Sequence, residues 1–156
     1  MKLFVEWARP VPLRDARRQD LIYSVVIEKL PSASGVYVFG RRWGRQFEAL
    51  YVGKANNIRG RVNSQLNNLR LMQHLRNARA GTRIVLAGRI VTKPGQQLKR
   101  CLPLIERALI RYFLSEGHDL ANRQGTLLRR HELASSGRHP KRFFPSLMYL
   151  EKGKGE

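Results

Sequence analysis

Glu106 is the first residue whose setting suggests chemistry. It follows Leu102 by four residues and precedes Leu109 by three and Phe113 by seven. It therefore falls on the apolar side of a helix-period stretch made of Leu98, Leu102, Ile105, Leu109, Ile110 and Phe113. A buried, unpaired carboxylate costs several kcal/mol, so an arginine, a hydrogen-bond cluster or a metal ion must compensate it. Two chemistries stay open. One is a buried Glu–Arg pair; the other is an oxygen ligand for Mg²⁺ or Mn²⁺ beside a phosphate. Arg61 lies three residues after Ile58 and one before Val62, on the flank of a second apolar face, from which a guanidinium reaches around the helix into a cleft. Arg59 points elsewhere and reads as a charge that tracks a polyanion backbone. Tyr37 and Tyr51 fall in β-branched runs, and each alone reads as a core residue with its hydroxyl satisfied by a backbone group. Gly53 and Lys54, directly after Tyr51, permit a tight turn and bring an amine to the sheet end.

Those groups must be positioned by ordinary elements. Val36 to Phe39 and Glu48 to Val52 read as a hairpin, with the basic loop Gly40 to Gln46 between them. Asn56 and Asn57 are N-cap residues. Ile58, Val62, Leu66 and Leu69 then recur at spacings of four, four and three, one helical face. A further helical stretch over about Leu71 to Ala80 stops at Gly81. Thr82 to Thr92 is β-branched and reads as a third strand. The last helix begins at about Gln97 or Pro103 and runs to Ser115, with Gly117 as its stop. Leu21 to Ile27 reads as a strand or buried edge segment, and the apolar Phe143 to Leu150 is expected to dock back on the domain. The order strand, strand, helix, strand, helix predicts the α+β class: a small, mostly antiparallel three-stranded sheet flanked by helices.

The chain has 156 residues, one domain by length. Its 30 Lys and Arg against 11 Asp and Glu give a formal charge of +19. With 42% hydrophobic residues it has enough apolar material for a core. One cysteine, Cys101, excludes an internal disulfide framework and a Cys-based zinc site. No run approaches the roughly 18 apolar residues of a membrane span. Residues 1–10 carry an acid and a tryptophan and lack the apolar stretch of a secretory signal, so the expected setting is cytoplasmic. Such an excess of positive charge repels itself and makes sense opposite a polyanion, nucleic acid before an anionic membrane surface. The basic residues form no single block, so folding must assemble the binding face. Its candidates are Arg41, Arg42, Arg45, Arg59, Arg129, Arg130, Lys141 and Arg142.

Several of these segments resemble one family. Gly35-Val36-Tyr37, Tyr51-Val52-Gly53-Lys54-Ala55 and Ile58-Arg59-Gly60-Arg61-Val62 resemble the signature of the GIY-YIG nuclease superfamily, nearest in motif to its excision-repair incision branch. Pro103 to Ile110 is similar to the helix with that family's metal-binding glutamate, and Leu120-Ala121-Asn122 to its asparagine segment. The resemblance implies a divalent-metal-dependent endonuclease that hydrolyses phosphodiester bonds in DNA more than RNA. One of Tyr37 and Tyr51 would activate or hold the water, with Lys54 assisting. Arg61 would steady the phosphate, Glu106 would be the sole carboxylate ligand of one Mg²⁺ or Mn²⁺, and Asn122 would position the site. His74, thirteen residues after Arg61, loosely matches an active-site histidine of some members; apart from the resemblance it is a lone exposed histidine. A phenol of pKa about 10 is a poor base at neutral pH. The charges of Lys54, Arg61 and the metal are expected to lower it.

The resemblance divides the chain into an N-terminal extension (1–30) packed on the domain, a nuclease-like domain (31–125) and a basic C-terminal extension (126–156). The long connection between the two motif tyrosines, GRRWGRQFE, is expected at the hairpin tip, within reach of DNA. The alternative is a catalytically inactive basic nucleic-acid-binding module.

Overall fold

A computed structural model describes residues 1–121, 130–138, 140 and 142–151. Its strands are β1 (Phe4–Trp7), β2 (Val11–Pro12), β3 (Arg14–Asp15), β4 (Tyr23–Ser24), β5 (Gly35–Trp43), β6 (Gln46–Ala55), β7 (Thr82–Val91), β8 (Arg130–Ala134) and β9 (Leu147–Glu151). Its helices are α1 (Ile58–Gln65), α2 (Leu69–Asn77) and α3 (Leu98–Ser115). The fold is α+β around an antiparallel sheet. The three anticipated strands form its centre in the order β7-β5-β6. The sheet has five strands rather than three, because β1 and β2 pair with successive halves of β7. The first residues thus extend the central sheet.

β5 is buried from Gly35 to Arg41, and its alternate side chains serve two layers. Tyr37 and Phe39 pack with Ile58 and Val62 of α1 and with Leu71, Met72 and Leu75 of α2. On the other face Val36 meets Leu102 and Ile105, and Val38 meets Ile110, all from α3. A helix layer on each face is why the strand has no polar alternation until it leaves the core.

Some boundaries depart from expectation for local reasons. Gly40 to Gln46 is not a loop: β5 and β6 pair out to Trp43 and Gln46, joined by the two-residue turn Gly44–Arg45. Gly44 has φ +56°, the left-handed region that the first central position of such a turn requires. The helix after Asn57 ends at Gln65, and Asn68 caps a new one by accepting from the Leu71 N–H at 3.1 Å. Leu69 is therefore 62% exposed and leaves the predicted apolar face. Of Leu21–Ile27 only Tyr23–Ser24 is a strand, paired with Arg14–Asp15. Pro103 lies inside α3, which begins five residues earlier at Leu98. β8 and β9 pair with each other and β9 touches α3, while Phe143 and Phe144 stay exposed, so the C-terminal apolar segment docks only through β9.

Candidate active site

Tyr37 and Gly53 face each other across the β5–β6 ladder. A Cβ at position 53 would collide with the ring and hydroxyl of Tyr37, so only glycine leaves room for the phenol. One step along, β6 carries a bulge. Phe39 opposes Tyr51 and Gly40 opposes Ala49, leaving Leu50 unpaired. The bulge turns both Leu50 and Tyr51 toward the layer of α1 and α2. The two tyrosine rings stack with centroids 6.0 Å apart and planes at 25°.

Gln65, at the end of α1, joins them. Its amide nitrogen donates to the Tyr37 hydroxyl at 2.9 Å and to the Tyr51 hydroxyl at 3.1 Å. Its own oxygen accepts from the Asn68 side chain at 3.1 Å. Gln65 is buried, seven residues after Ile58 and three after Val62, a polar side chain in an apolar register. By the same register that singles out Glu106, Gln65 stands out in the sequence as a polar residue turned inward.

Tyr37 is 1% exposed. Burial pushes its hydroxyl up to about pKa 12, and the neighbouring Tyr51 adds to the rise. Hydrogen bonding by Gln65 and Arg61 pulls the other way without overcoming burial. The expectation of a lowered phenol pKa is thus reversed for Tyr37, which is fully protonated at neutral pH. Tyr51 is only half-buried and lines an open cleft with His74.

Arg61 projects from α1 into a second cleft, of ≈ 520 Å³, shared with Lys54, Asn56, Ser64 and Lys99. Three cations from β6, α1 and α3 converge there, the electrostatics of an anion site. Beside it, Lys54 Nζ donates to Glu106 Oε2 at 3.0 Å. The Glu106 side chain is 19% exposed, so the inward register holds in part. Its compensating partner is lysine on the neighbouring strand, not the arginine of the first sequence alternative. Gln65 joins Tyr37 to Tyr51, Arg61 reaches the Tyr37 hydroxyl, and Lys54 shares the Arg61 cleft and pairs with Glu106. His74 lies on the Tyr51 side, half-buried rather than freely exposed. Its Nε2 is 2.8 Å from the Asp119 carbonyl, which can only accept, so that nitrogen carries the proton.

The basic residues separate into two groups. Arg42 and Arg45 are exposed at the hairpin tip, and Arg142 is exposed ahead of β9. Arg41 and Arg59 depart from the expectation of backbone-tracking charges. Arg41 is buried, with Nε on Glu48 at 2.9 Å and Nη1 on the Ala80 carbonyl at 2.8 Å. Arg59 donates to the carbonyls of Leu30 at 2.9 Å and Glu28 at 3.2 Å, tying α1 to the segment before β5. Arg130 belongs to β8. Asn122, Arg129 and Lys141 lie outside the described residues.

Among the described residues no three His, Cys, Asp or Glu side chains cluster closely enough to hold a metal as an all-protein cage. Glu106 alone fits a different donor set. Mg²⁺ keeps several waters and binds through one or two carboxylates plus substrate phosphates, and this carboxylate stands beside a cationic cleft. Among the described residues no helix is long and apolar enough to cross a membrane. Comparison with protein-family models, with curated proteins and with solved structures gives no match.

Proposed function

We propose that this chain is a divalent-metal-dependent endonuclease of the GIY-YIG type, hydrolysing phosphodiester bonds in nucleic acid, DNA before RNA. One observation carries the reading: the single inward carboxylate, Glu106, meets Lys54 at 3.0 Å on the border of the cleft that Arg61 lines. A protein that only binds nucleic acid gains nothing from an acid at its phosphate site. The motif glycine supports the same reading, since Gly53 has a steric duty toward Tyr37.

In this reading Arg61 and Lys99 hold the non-bridging oxygens of the attacked phosphate and neutralise charge that grows toward the transition state. Lys54 orients Glu106 through its 3.0 Å hydrogen bond. The Tyr51 hydroxyl, half-buried on the His74 side and joined to the Arg61 side through Gln65 and Tyr37, holds the attacking water. Tyr37 stays neutral, locks Tyr51 by stacking and shares the Gln65 amide with it. Glu106 would hold Mg²⁺ or Mn²⁺, which when bound supplies Lewis-acid polarisation of the phosphoryl group.

The test incubates the protein with single-stranded DNA, duplex DNA and RNA in Mg²⁺ or Mn²⁺, with EDTA controls. The reading expects cleavage of at least one substrate, abolished by EDTA and by Arg61→Ala with binding largely kept. Salt-sensitive binding without cleavage under any condition would replace it with the inactive binding module.

A further inference from the structure

The candidate site leaves the far end of the β5–β6 hairpin unused, and that end is built in an unusual way for a turn. Tyr37, Phe39, Arg41 and Trp43 occupy one face of β5, the face covered by α2. Trp43 is the outermost of the four, about 20 Å from Tyr37 along the strand at roughly 3.3 Å per residue. Trp43 is 36% exposed. The guanidinium carbon of Arg41 lies 3.9 Å from the ring centroid, covering one face of the indole. Glu48 and the Ala80 carbonyl fix that guanidinium from behind. Trp43 is thus held flat and rigid, immediately before a two-residue turn, with exposed Arg42 and Arg45 on either side.

Two adjoining clefts lead from Tyr51 toward the hairpin tip, the second ending at Arg41, whose guanidinium backs the indole. One cleft contains Tyr51 and His74, the next contains His74 and Arg41, and the two share Asn77 and Asp119 as well. Exposed Arg70 and Arg79 of α2 and the loop after it line the clefts. The acids facing them are Asp119 and Glu48, the latter held by Arg41.

We propose that the hairpin tip is a stacking platform for an unpaired nucleobase. A single strand engaged at the candidate site runs along α2 and lays one base on the uncovered face of Trp43. This names the substrate class of the proposed nuclease and rests on that reading only in taking the polyanion to be nucleic acid. An indole backed by a guanidinium is a sequence-tolerant platform, because every base has a π-face. A duplex keeps its bases stacked on one another and offers the indole none. The span from Tyr37 to Trp43, about 20 Å, accommodates several nucleotides at ~3.4 Å each.

The chain has two tryptophans, Trp7 and Trp43, so Trp7→Phe leaves Trp43 as the sole indole. This variant is titrated with an oligothymidylate and with a blunt duplex of equal length, in EDTA and at one salt concentration. The oligothymidylate should quench Trp43 fluorescence and the duplex should not. Trp43→Ala should weaken oligothymidylate binding roughly 5- to 150-fold and leave duplex binding within about 2-fold, while Trp43→Phe keeps most of the affinity. Unquenched binding of the oligothymidylate, or equal losses for strand and duplex, would overturn the proposal. The quench needs no removal of Trp43, so a poorly folded alanine variant does not blunt the test. Cleavage without quench would sink the platform alone. Quench with no cleavage in Mg²⁺ or Mn²⁺ would sink the nuclease reading alone.

Discussion

Gln65→Leu removes one amide from the centre of the candidate site, and the structure sets the size of the effect. Three hydrogen bonds go: those to Tyr37 at 2.9 Å, to Tyr51 at 3.1 Å and from Asn68 at 3.1 Å. Asn68 is exposed and Tyr51 half-buried, so water replaces what they lose at little cost. Tyr37 is 1% exposed, so water does not replace the lost amide, and its hydroxyl falls back on Arg61 and Tyr51. Leaving a buried polar group short of a partner costs about 1–3 kcal/mol, and the apolar gain from leucine offsets part of this. The net expectation is a loss of about 1–2 kcal/mol. Urea unfolding at neutral pH reads it as a lower midpoint with an unchanged slope. The double-mutant cycle with Tyr37→Phe isolates the cause: once the phenol is gone, Gln65→Leu should cost less than about 0.5 kcal/mol. Absorbance titration of the tyrosinates adds a second reading. Gln65 lowers the Tyr37 pKa, so its removal should drive that titration still higher. A full-sized loss in the Tyr37→Phe background would refute the claim that this amide acts through the phenol.

The alkaline limb of stability should carry the signature of Tyr37. Its folded pKa is raised from 10.0 to about 12, so the unfolded chain releases the proton first and rising pH favours unfolding. The contribution, on the order of 3 kcal/mol, is present below pH 10 and lost between about 10 and 12; Tyr37→Phe should flatten that decline in a pH series of urea midpoints. Gly53→Ala should cost about 1–3 kcal/mol, because its methyl group enters the space of the Tyr37 ring, and wild-type unfolding behaviour would contradict the packing. Arg83 donates to the carbonyls of Leu75 at 2.7 Å and Ala78 at 2.8 Å, as well as Arg79 and Gly81, closing the C-terminal end of α2. Arg83→Ala should lower stability by about 2–3 kcal/mol, and Arg83→Lys should not restore it, since an ammonium cannot span the fork.

The central hairpin, the third strand and the last helix are legible in the sequence because period and burial agree there. Val36 and Val38 on one side, with Tyr37 and Phe39 on the other, are apolar wherever helices cover them. Leu69 shows where periodicity misleads: a spacing that continues the α1 face is cut by the Asn68 cap, and only the turn chemistry reports the break. The extended stretch Leu3 to Trp7 is legible, but its pairing and that of β2 are not, because such short segments gain their place in the sheet from β7. Glu106 is visible as an acid out of place. Its partner is not, since pairing with Lys54 depends on α3 crossing the sheet beside the end of β6. Arg41 and Arg59 show the limit of counting charge. Both look like surface cations in sequence, and both direct their donors at the protein's own oxygens.

The most direct measurement of the nuclease proposal is single-turnover cleavage by Glu106→Gln in Mn²⁺, beside binding of the same oligonucleotide in EDTA. Glutamine keeps an oxygen for Lys54 and removes the charge that would hold the cation. Cleavage should fall by at least about 10²-fold while the Kd stays within about 3-fold of wild type. Undiminished cleavage by Glu106→Gln would contradict the assignment of that carboxylate to the metal.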